Sequence, residues 1–569
     1  MKKVYRNESP VRRALEGGTG AIVQHDGEPD YRIHNYHVMP PFLVSLVSGT
    51  EHWMFVSSAG GLTCGRRNPD HALFPYETDD KIHDSHATTG PLTALLVEDR
   101  GKTRLWQPFS GNLFAYRIER NLYKNLPGNR LIFEEINHDL ELTFRYGWSV
   151  SERFGFVKRS TVANTGGAAR NIELLDGLRN LLPFGVTRQT QTELSTLLDA
   201  YKQAETVPGL SAGVYSLSSI LTDRAEPCEA LRATVAWSAG LAGSKVLLSE
   251  VQVEAFLAGS PVEPESQVRG RRGAFLVASS LQLPPHSKKS WYVVADLNQG
   301  PSQLAGLLGH IKAGLEPETI EADIRDGAER LRQLVSGADG SQATSDELTG
   351  ARHFANTMFN IMRGGTFYDE YTVPRDDLLD FVKTWNASLS ERFASILAES
   401  DETLTRQELL SAAADSGDAD LQRLALEYLP LTFSRRHGDP SRPWNRFSID
   451  IRNEDGSDKL YFQGNWRDIF QNWEALTLSY PEFIDSFIAK FVNASTADGY
   501  NPYRINRDGF DWEVIEEENP WSNIGYWGDH QVNYLDKLLE LSVAYYPGQL
   551  GEALCRDIFV YANVPYRIK

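Results

Sequence analysis

The pattern of apolar and polar positions changes character once along the chain. Over roughly the first 300 residues, positions alternate or gather into short β-branched and aromatic runs. Examples are 52–58 (HWMFVSS), 92–99 (LTALLVED), 114–120 (FAYRIER), 140–150 (LELTFRYGWSV), 154–167, 232–238 and 290–297. Turn residues separate them, and Asn164-Thr165-Gly166-Gly167 is turn chemistry between two strands. Many such strands in one block predict a β-sandwich over residues 1–300.

Beyond it the period lengthens. Ile320, Ile324, Leu331 and Leu334 share one helical face, so 316–337 reads as an amphipathic helix within a linker region at 301–345. The polar stretch GADGSQATSDE marks a boundary. DELTGARHFANTMFNIMRGG then has the acidic start and glycine stop of a helix. Further helices are predicted at 386–398, 404–415, 418–430, 468–479, 481–493, 530–546 and 549–562, giving a helical domain over 346–569. Three long connections interrupt it, at 363–377, 434–450 and 497–530. They are rich in Gly, Pro, aromatics, Arg and Asp. Long irregular loops in a compact domain are usually functional or disordered, and disorder needs few aromatics.

Composition narrows the partners. The chain has 569 residues, 41% of them apolar and 23% charged, which fits a globular protein of several domains. A formal charge of −19 repels nucleic acid and anionic membranes. Cys64, Cys228 and Cys555 match no zinc spacing and cannot all pair, so a reducing cytoplasm is the simplest location. The basic N-terminus lacks the apolar run of a signal peptide, and no stretch reaches membrane-spanning length.

The loops suggest sugar chemistry. Carboxylates and Arg bind hydroxyls, Trp and Tyr faces take the C–H surface of a pyranose, and bond cleavage needs a carboxylic acid. GNWRDIFQNWE supplies Trp466, Arg467 and Asp468; GYWGDHQ supplies Trp527, Asp529 and His530. Arg363 and Tyr368 come from the first long loop. Each has a plainer reading. Asp468 and Asp529 both open predicted helices, where an acid complements the dipole or caps the end. Trp473 and Glu474 read as helix packing. Asp511 and Glu513, in GFDWE, are candidate catalytic carboxylates, whereas Glu516, Glu517 and Glu518 read as a solvated face. Arg435, Arg436 and His437 form a candidate phosphate site or a plain surface loop. The Gly- and Arg-rich stretch 57–76 reads as structural. No nucleophile elbow, Walker loop, dinucleotide fingerprint or H-E-x-x-H occurs. No metal or organic cofactor is expected.

On DYRIHNYHVMPPFLVSLVSGTEHWMFVSSAGG, FNIMRGGTFYDEY, NWRDIFQ and GYWGDHQVNYLDKLLELS, the chain resembles the inverting glycoside phosphorylases of the cellobiose and chitobiose phosphorylase type. It is also similar to the phosphorylase-like part of cyclic β-1,2-glucan synthases. The resemblance implies a β-sandwich, a helical linker and an (α/α)6 barrel. It implies reversible phosphorolysis of a β-glycosidic bond, with inorganic phosphate as co-substrate. Arg467 and Asp468 would then hold the sugar, with Asp529 and His530 at the pocket rim. The family's general acid and phosphate ligands follow its D-D-H segment. Here the sequence stops 39 residues after His530, and the Asp-Trp pair of GFDWE precedes GDHQ. The resemblance therefore implies the N-terminal portion of such an enzyme, its barrel incomplete, with a homodimer or a completing C-terminal segment as partner. Two alternatives stand beside it: an inverting hydrolase with Asp511 or Glu513 as acid, and a carbohydrate-binding protein without turnover.

Overall fold

The computed structural model describes residues 3–7, 17–25, 27–436, 438–443, 445–514 and 523–564. They divide into two compact units, Met1–Leu331 with Gly438–Arg446, and Arg332–His437 with Phe447–Lys569.

The first unit is built from strands β1 (Val4–Tyr5), β2 (Thr19–His25), β3 (Glu28–His34), β4 (Leu43–Leu46), β5 (His52–Ser57), β6 (Leu62–Arg66) and β7 (Gly90–Asp99). There follow β8 (Lys102–Trp106), β9 (Ile118–Asn125), β10 (Arg130–Asn137), β11 (Leu142–Ser151), β12 (Gly155–Asn164) and β13 (Arg170–Leu181). The last are β14 (Lys202–Thr206), β15 (Ala212–Leu217), β16 (Ala233–Ala239), β17 (Lys245–Leu247), β18 (Gln267–Arg269), β19 (Gly273–Leu283) and β20 (Lys288–Gln299). A six-stranded sheet runs β1-β8-β7-β13-β19-β17, and an eleven-stranded sheet runs β18-β14-β15-β16-β20-β12-β11-β10-β9-β3-β2. The strand expected at 114–120 starts instead at Ile118. Phe114 is 57% exposed, in a turn where Ala115 N–H donates to the Asn112 carbonyl.

Period-two patterning decides which way each strand faces. On β11, Leu142, Phe144, Tyr146 and Trp148 are buried, while the alternate positions Thr143, Arg145, Gly147 and Ser149 belong to the other face. One apolar cluster takes Leu95, Trp106, Leu174 and Phe275 from the smaller sheet and Phe133, Phe144, Trp148 and Trp291 from the larger. The two sheets thus share one apolar core. A charged cluster crosses it. Asp176 on β13 accepts from Lys158 Nζ (2.6 and 2.8 Å), Trp291 Nε1 (2.7 Å), Thr93 Oγ1 (2.6 Å) and Ser160 Oγ (3.1 Å). Lys158 and Asp176 are both fully buried. Burial pushes the Lys158 ammonium down and Asp176 opposes this.

Short helices α1 (Asp79–Asp84), α2 (Arg188–Glu193), α3 (Ser195–Tyr201) and α4 (Val253–Leu257) connect strands. The expected linker contains α5 (Pro301–Lys312), absent from the sequence prediction, and the predicted α6 (Pro317–Gly337). Pro301 sits in the first turn of α5, and Gln303 accepts from the Gly300 N–H at 2.9 Å. Leu307, Ile311, Ile320 and Ile324 pack with Phe154, Trp237 and Tyr292.

The second unit has α7 (Glu347–Gly364), α8 (Arg375–Trp385), α9 (Ser390–Ile396), α10 (Arg406–Asp415), α11 (Ala419–Glu427), α12 (Trp466–Thr477), α13 (Ile484–Ala494), α14 (Gln531–Tyr545) and α15 (Gln549–Ala553). Helices α8–α11 enclose their own core, with Leu378, Phe381, Phe393, Leu409 and Leu421 at its centre. Helix α8 lies partly inside the stretch expected as a loop. Pro374 precedes it, and Asp376 and Asp377 occupy its first turn. The helix expected over 549–562 ends at Ala553. Elsewhere Trp473 donates to the Gly364 carbonyl at 2.8 Å, joining α12 to the end of α7. A Cβ at Gly364 would meet Trp473 and Asn472 at 3.0–3.1 Å, so glycine permits this approach.

Arg507 and Lys490 tie the α8–α11 core to the rest of the unit. Arg507 donates to Asp377 (2.8 Å), Asp508 (2.8 Å) and Asp380 (3.3 Å). Lys490 on α13 is fully buried 3.6 Å from Glu427, over the rings of Trp385 (4.5 Å) and Phe381 (5.0 Å).

Candidate functional site

Short strands punctuate the connections of the second unit. These are β21 (Thr366–Phe367), β22 (Thr372–Pro374), β23 (Thr403–Thr405), β24 (Leu431–Thr432), β25 (Arg435–Arg436), β26 (Ser448–Ile449) and β27 (Gln463–Asn465). After them come β28 (Tyr500–Asn501), β29 (Arg504–Asn506), β30 (Gly509–Asp511), β31 (Glu513–Val514), β32 (Asn523–Ile524) and β33 (Tyr526–Trp527). Strand β29 lies between β27 and β30, with Asn465, Arg504 and Asp511 in one cross-strand row. The adjacent row, Gly464, Ile505 and Phe510, faces the core: Ile505 is fully buried and Phe510 packs on Trp466 and Trp385. Helix α12 follows β27 directly. Strand β33 pairs with β28 and leads into α14.

At these two helix starts, residues 63 apart in sequence meet. Arg467 Nε lies 3.0 Å from Asp529 Oδ2 and 3.2 Å from His530 Nδ1. Asp529 Oδ1 accepts from the His530 backbone N–H at 2.6 Å and lies 3.1 Å from His530 Nδ1. The His530 backbone N–H, and then the Arg467 guanidinium, hold the Asp529 carboxyl below its ordinary range. His530 Nδ1 either accepts from Arg467 or donates to Asp529; in the neutral ring accepting from Arg467, the proton is on Nε2. Burial, followed by Tyr503 and Asp468, pushes the Tyr526 phenol up. Asp468 therefore shares this electrostatic environment.

Aromatic rings flank the charges. Tyr500 stacks on Trp512 at 5.7 Å and meets Trp527 at 5.0 Å; Tyr503 stacks on Tyr526 at 6.1 Å. Trp527 is 50% exposed. Of these rings only Trp527 was singled out from the sequence. The signal for the others was the recurrence of aromatics through GYNPYRIN, GFDWE and GYW, the first and last of which the β28–β33 pairing folds together.

Trp466 corrects the sequence reading. It does not open into a pocket but is 0% exposed, among Phe470, Phe491 and Phe510. It lies on the same helical face as Ile469, Phe470 and Trp473, all buried. Arg467 and Asp468 occupy the exposed side. Trp473 packs, as expected. Asp511 accepts from Arg504 Nε at 2.7 Å, while Glu513 is exposed on β31. Tyr368 is 48% exposed. The Arg363 carbonyl accepts from Ser434 Oγ (3.2 Å), which in turn accepts from the Gln463 N–H (3.4 Å). That chain of contacts sets Arg363 and the Arg435–Arg436 strand beside β27. Arg435 is buried over the Phe433 ring at 4.7 Å, and burial lowers its guanidinium to about 9. Arg436 is half-buried. His437 and Glu516–Glu518 lie outside the described residues. Among the described residues, no three His, Cys, Asp or Glu side chains gather as metal ligands would, and no helix is long and apolar enough to cross a membrane.

Residues 367–430 match the family model for glycoside hydrolase family 149 insertion domain 1. That span contains the α8–α11 core. No curated protein sequence matches the chain. Among solved structures, a bacterial glucoamylase complexed with acarbose is similar at 8% identity and TM-score 0.33, over 94% of this chain and 68% of that one. A kojibiose phosphorylase from the human microbiome is similar at 7% identity and TM-score 0.29, over 82% of this chain and 50% of the other. An α-mannosidase of family GH92 from Bacteroides thetaiotaomicron is similar at 9% identity and TM-score 0.23, over 43% and 29%.

Proposed function

We propose that the chain is a carbohydrate-active enzyme that cleaves or forms a glycosidic bond, with inorganic phosphate as the nucleophile. The observation that carries this reading is the Arg467–Asp529–His530 cluster beside the exposed face of Trp527. The insertion-domain match at 367–430 supports the same class. In this reading the helices of the second unit belong to an (α/α)-type barrel, and the helix starts of α12 and α14 line its sugar pocket.

The roles follow from chemistry. Trp527 takes the C–H face of a pyranose. Arg467, oriented by Asp529, directs its remaining N–H donors to sugar hydroxyls or phosphate oxygens. Asp529, held ionised, and Asp468 accept from hydroxyls. The Arg363 and Arg435–Arg436 group beside β27 supplies the positive charge a phosphate nucleophile requires. Protonation of the leaving oxygen falls to Glu513; Asp511, tied to Arg504, positions the hairpin.

The test is incubation with β-glucosides and β-linked disaccharides, with and without inorganic phosphate, assaying sugar 1-phosphate and free sugar separately. Sugar 1-phosphate appearing with phosphate, and lost in Glu513→Gln, is the expected result. Free sugar regardless of phosphate would replace phosphorolysis by hydrolysis, and no turnover on any substrate would overturn the enzyme reading.

A further inference from the structure

The outward face of the larger sheet carries a cleft of about 270 Å³, lined entirely by first-unit residues. Strands β10, β11, β12 and β20 supply its floor, and the β2–β3 hairpin and α6 supply its walls. Gly147 interrupts the outward row of β11 and leaves a depression beside Ile132, its cross-strand neighbour. Thr143, Thr161 and Ser290 offer hydroxyls there, with Thr161 and Ser290 hydrogen-bonded at 2.8 Å.

The charge of this cleft opposes that of the chain. Arg130, Arg145, Arg159, Lys288 and Arg325 line it, against the carboxylates of Glu28 and Glu321, in a protein of net charge −19. Two of the arginines are fixed from within the sheet. Arg130 donates to Asp30 at 2.9 Å, and Arg145 donates to Glu134; the two acids are only 1% and 2% exposed. Arg159 lies 3.6 Å from Glu321. Lys288 and Arg325 are exposed, and neither has a carboxylate partner among the described residues. A merely solvated strand face needs no buried carboxylates to orient its guanidiniums. Arginines held this way are preorganised, and the two unpaired cations beside them favour an incoming negative charge.

We infer that this cleft binds a phosphorylated or sulfated monosaccharide, its ester group on the side of Lys288 and Arg325 and its hydroxyls over the threonine and serine floor. The volume suits one sugar ring; no Trp, Tyr or Phe is among the lining residues, and the one aromatic ring there, His25, is already stacked on Tyr123 at 5.0 Å. The inference is independent of the catalytic reading, because every residue it uses belongs to the first unit.

Calorimetric titration of the full chain with glucose 6-phosphate, glucose 6-sulfate, inorganic phosphate and glucose tests it, alongside a Lys288→Glu/Arg325→Glu double variant. At least one ester is expected to bind saturably, more weakly at higher salt, and at least tenfold more weakly to the double variant. Which ester binds identifies the anion. An unchanged thermal midpoint shows that the variant is folded, as expected for two exposed side chains. Binding of glucose or inorganic phosphate as tight as the ester, no saturable ester binding, or equal binding by the variant would each overturn the proposal. So would ester binding lost in Arg467→Ala instead, which would place the ligand at the second-unit site.

Discussion

Replacing Lys158 by methionine removes the cation that faces Asp176 while keeping much of the side-chain volume. The carboxylate is left fully buried with three neutral donors, from Trp291, Thr93 and Ser160. Those hydrogen bonds still solvate it in part. They do not replace the ammonium at 2.6 Å, in a place no water reaches. Removing one partner of a buried ion pair typically costs about 3–5 kcal/mol. In a unit spanning Met1–Leu331 with Gly438–Arg446 that lowers the melting transition by about 4–7 °C, at about 1.4 °C per kcal/mol. The assay is thermal and urea denaturation followed by tryptophan fluorescence and circular dichroism, comparing Lys158→Met with the wild type and with Lys158→Met/Asp176→Leu. The double variant should recover part of the loss, since the uncompensated charge is gone, but not all, because three donors then lack an acceptor. A single variant within about 1 kcal/mol of the wild type would refute the reasoning, because it would mean that the three neutral donors, or a proton taken up by Asp176, compensate the carboxylate as well as the ammonium does.

Arg507→Ala leaves the half-buried Asp377 with the Tyr428 hydroxyl but without its guanidinium, so the second unit should lose about 1–3 kcal/mol, read as an earlier urea transition. Trp466→Ala should cost about 3–5 kcal/mol of stability, whereas Trp527→Ala should leave stability within about 0.5 kcal/mol and weaken saccharide binding in titration; the reverse ranking would contradict their burial. Arg467→Ala should likewise leave the melting point nearly unchanged, as a half-exposed ion pair contributes about 0–1 kcal/mol, while turnover with phosphate falls. Asp529 has a folded value below its unfolded one, so its contribution is complete above about pH 4 and fades as pH falls through the depressed value. The stability difference between wild type and Asp529→Asn should therefore be flat above about pH 5 and shrink in acid, as measured by melting curves across that range.

Much of the two-sheet unit was legible in the sequence: β12 keeps period-two alternation over its second half, whereas β5, β7 and β20 are buried at consecutive positions and read as short apolar runs, and all four fall close to the runs that predict them. Lys158 was not singled out, although it shares the inward parity of Phe156, Ser160 and Val162 on β12. A lone lysine in a strand reads as solvent-facing until the opposing sheet is known. Helix α8 was missed because the glycines and the proline before it suggested a loop. Trp466 reads as a site residue on the strength of Arg467 and Asp468 beside it, yet its 466-469-470-473 spacing is that of a buried helical stripe. Arg467, Asp529 and His530 read from local pattern as two separate helix starts, and only the family resemblance sets them at one pocket. Their meeting depends on hairpin pairings that no local pattern encodes. The Lys288–Arg325 cleft was invisible for the same reason, since α6 and β20 supply its unpaired cations from separate elements.

Strand order in the larger sheet bears on how the first unit assembles. Strand β20 is the last of its strands in the chain, yet it lies between β12 and β16. Until it docks, β2, β3 and β9–β12 form one ribbon and β14–β16 with β18 another, each with an open edge. In the smaller sheet β19 plays the same part between β13 and β17. A nascent chain must therefore hold two half-sheets apart, with Trp148 and Phe144 uncovered by Trp291, until the consecutive strands β19 and β20, one for each sheet, have been synthesised. Such long-range closure makes for slow folding, and the period before it is when these edges are open to mispairing with other chains. Residues 273–299 thus act as a late kinetic latch, and a chain interrupted ahead of them would expose two sheet edges and an unsealed core.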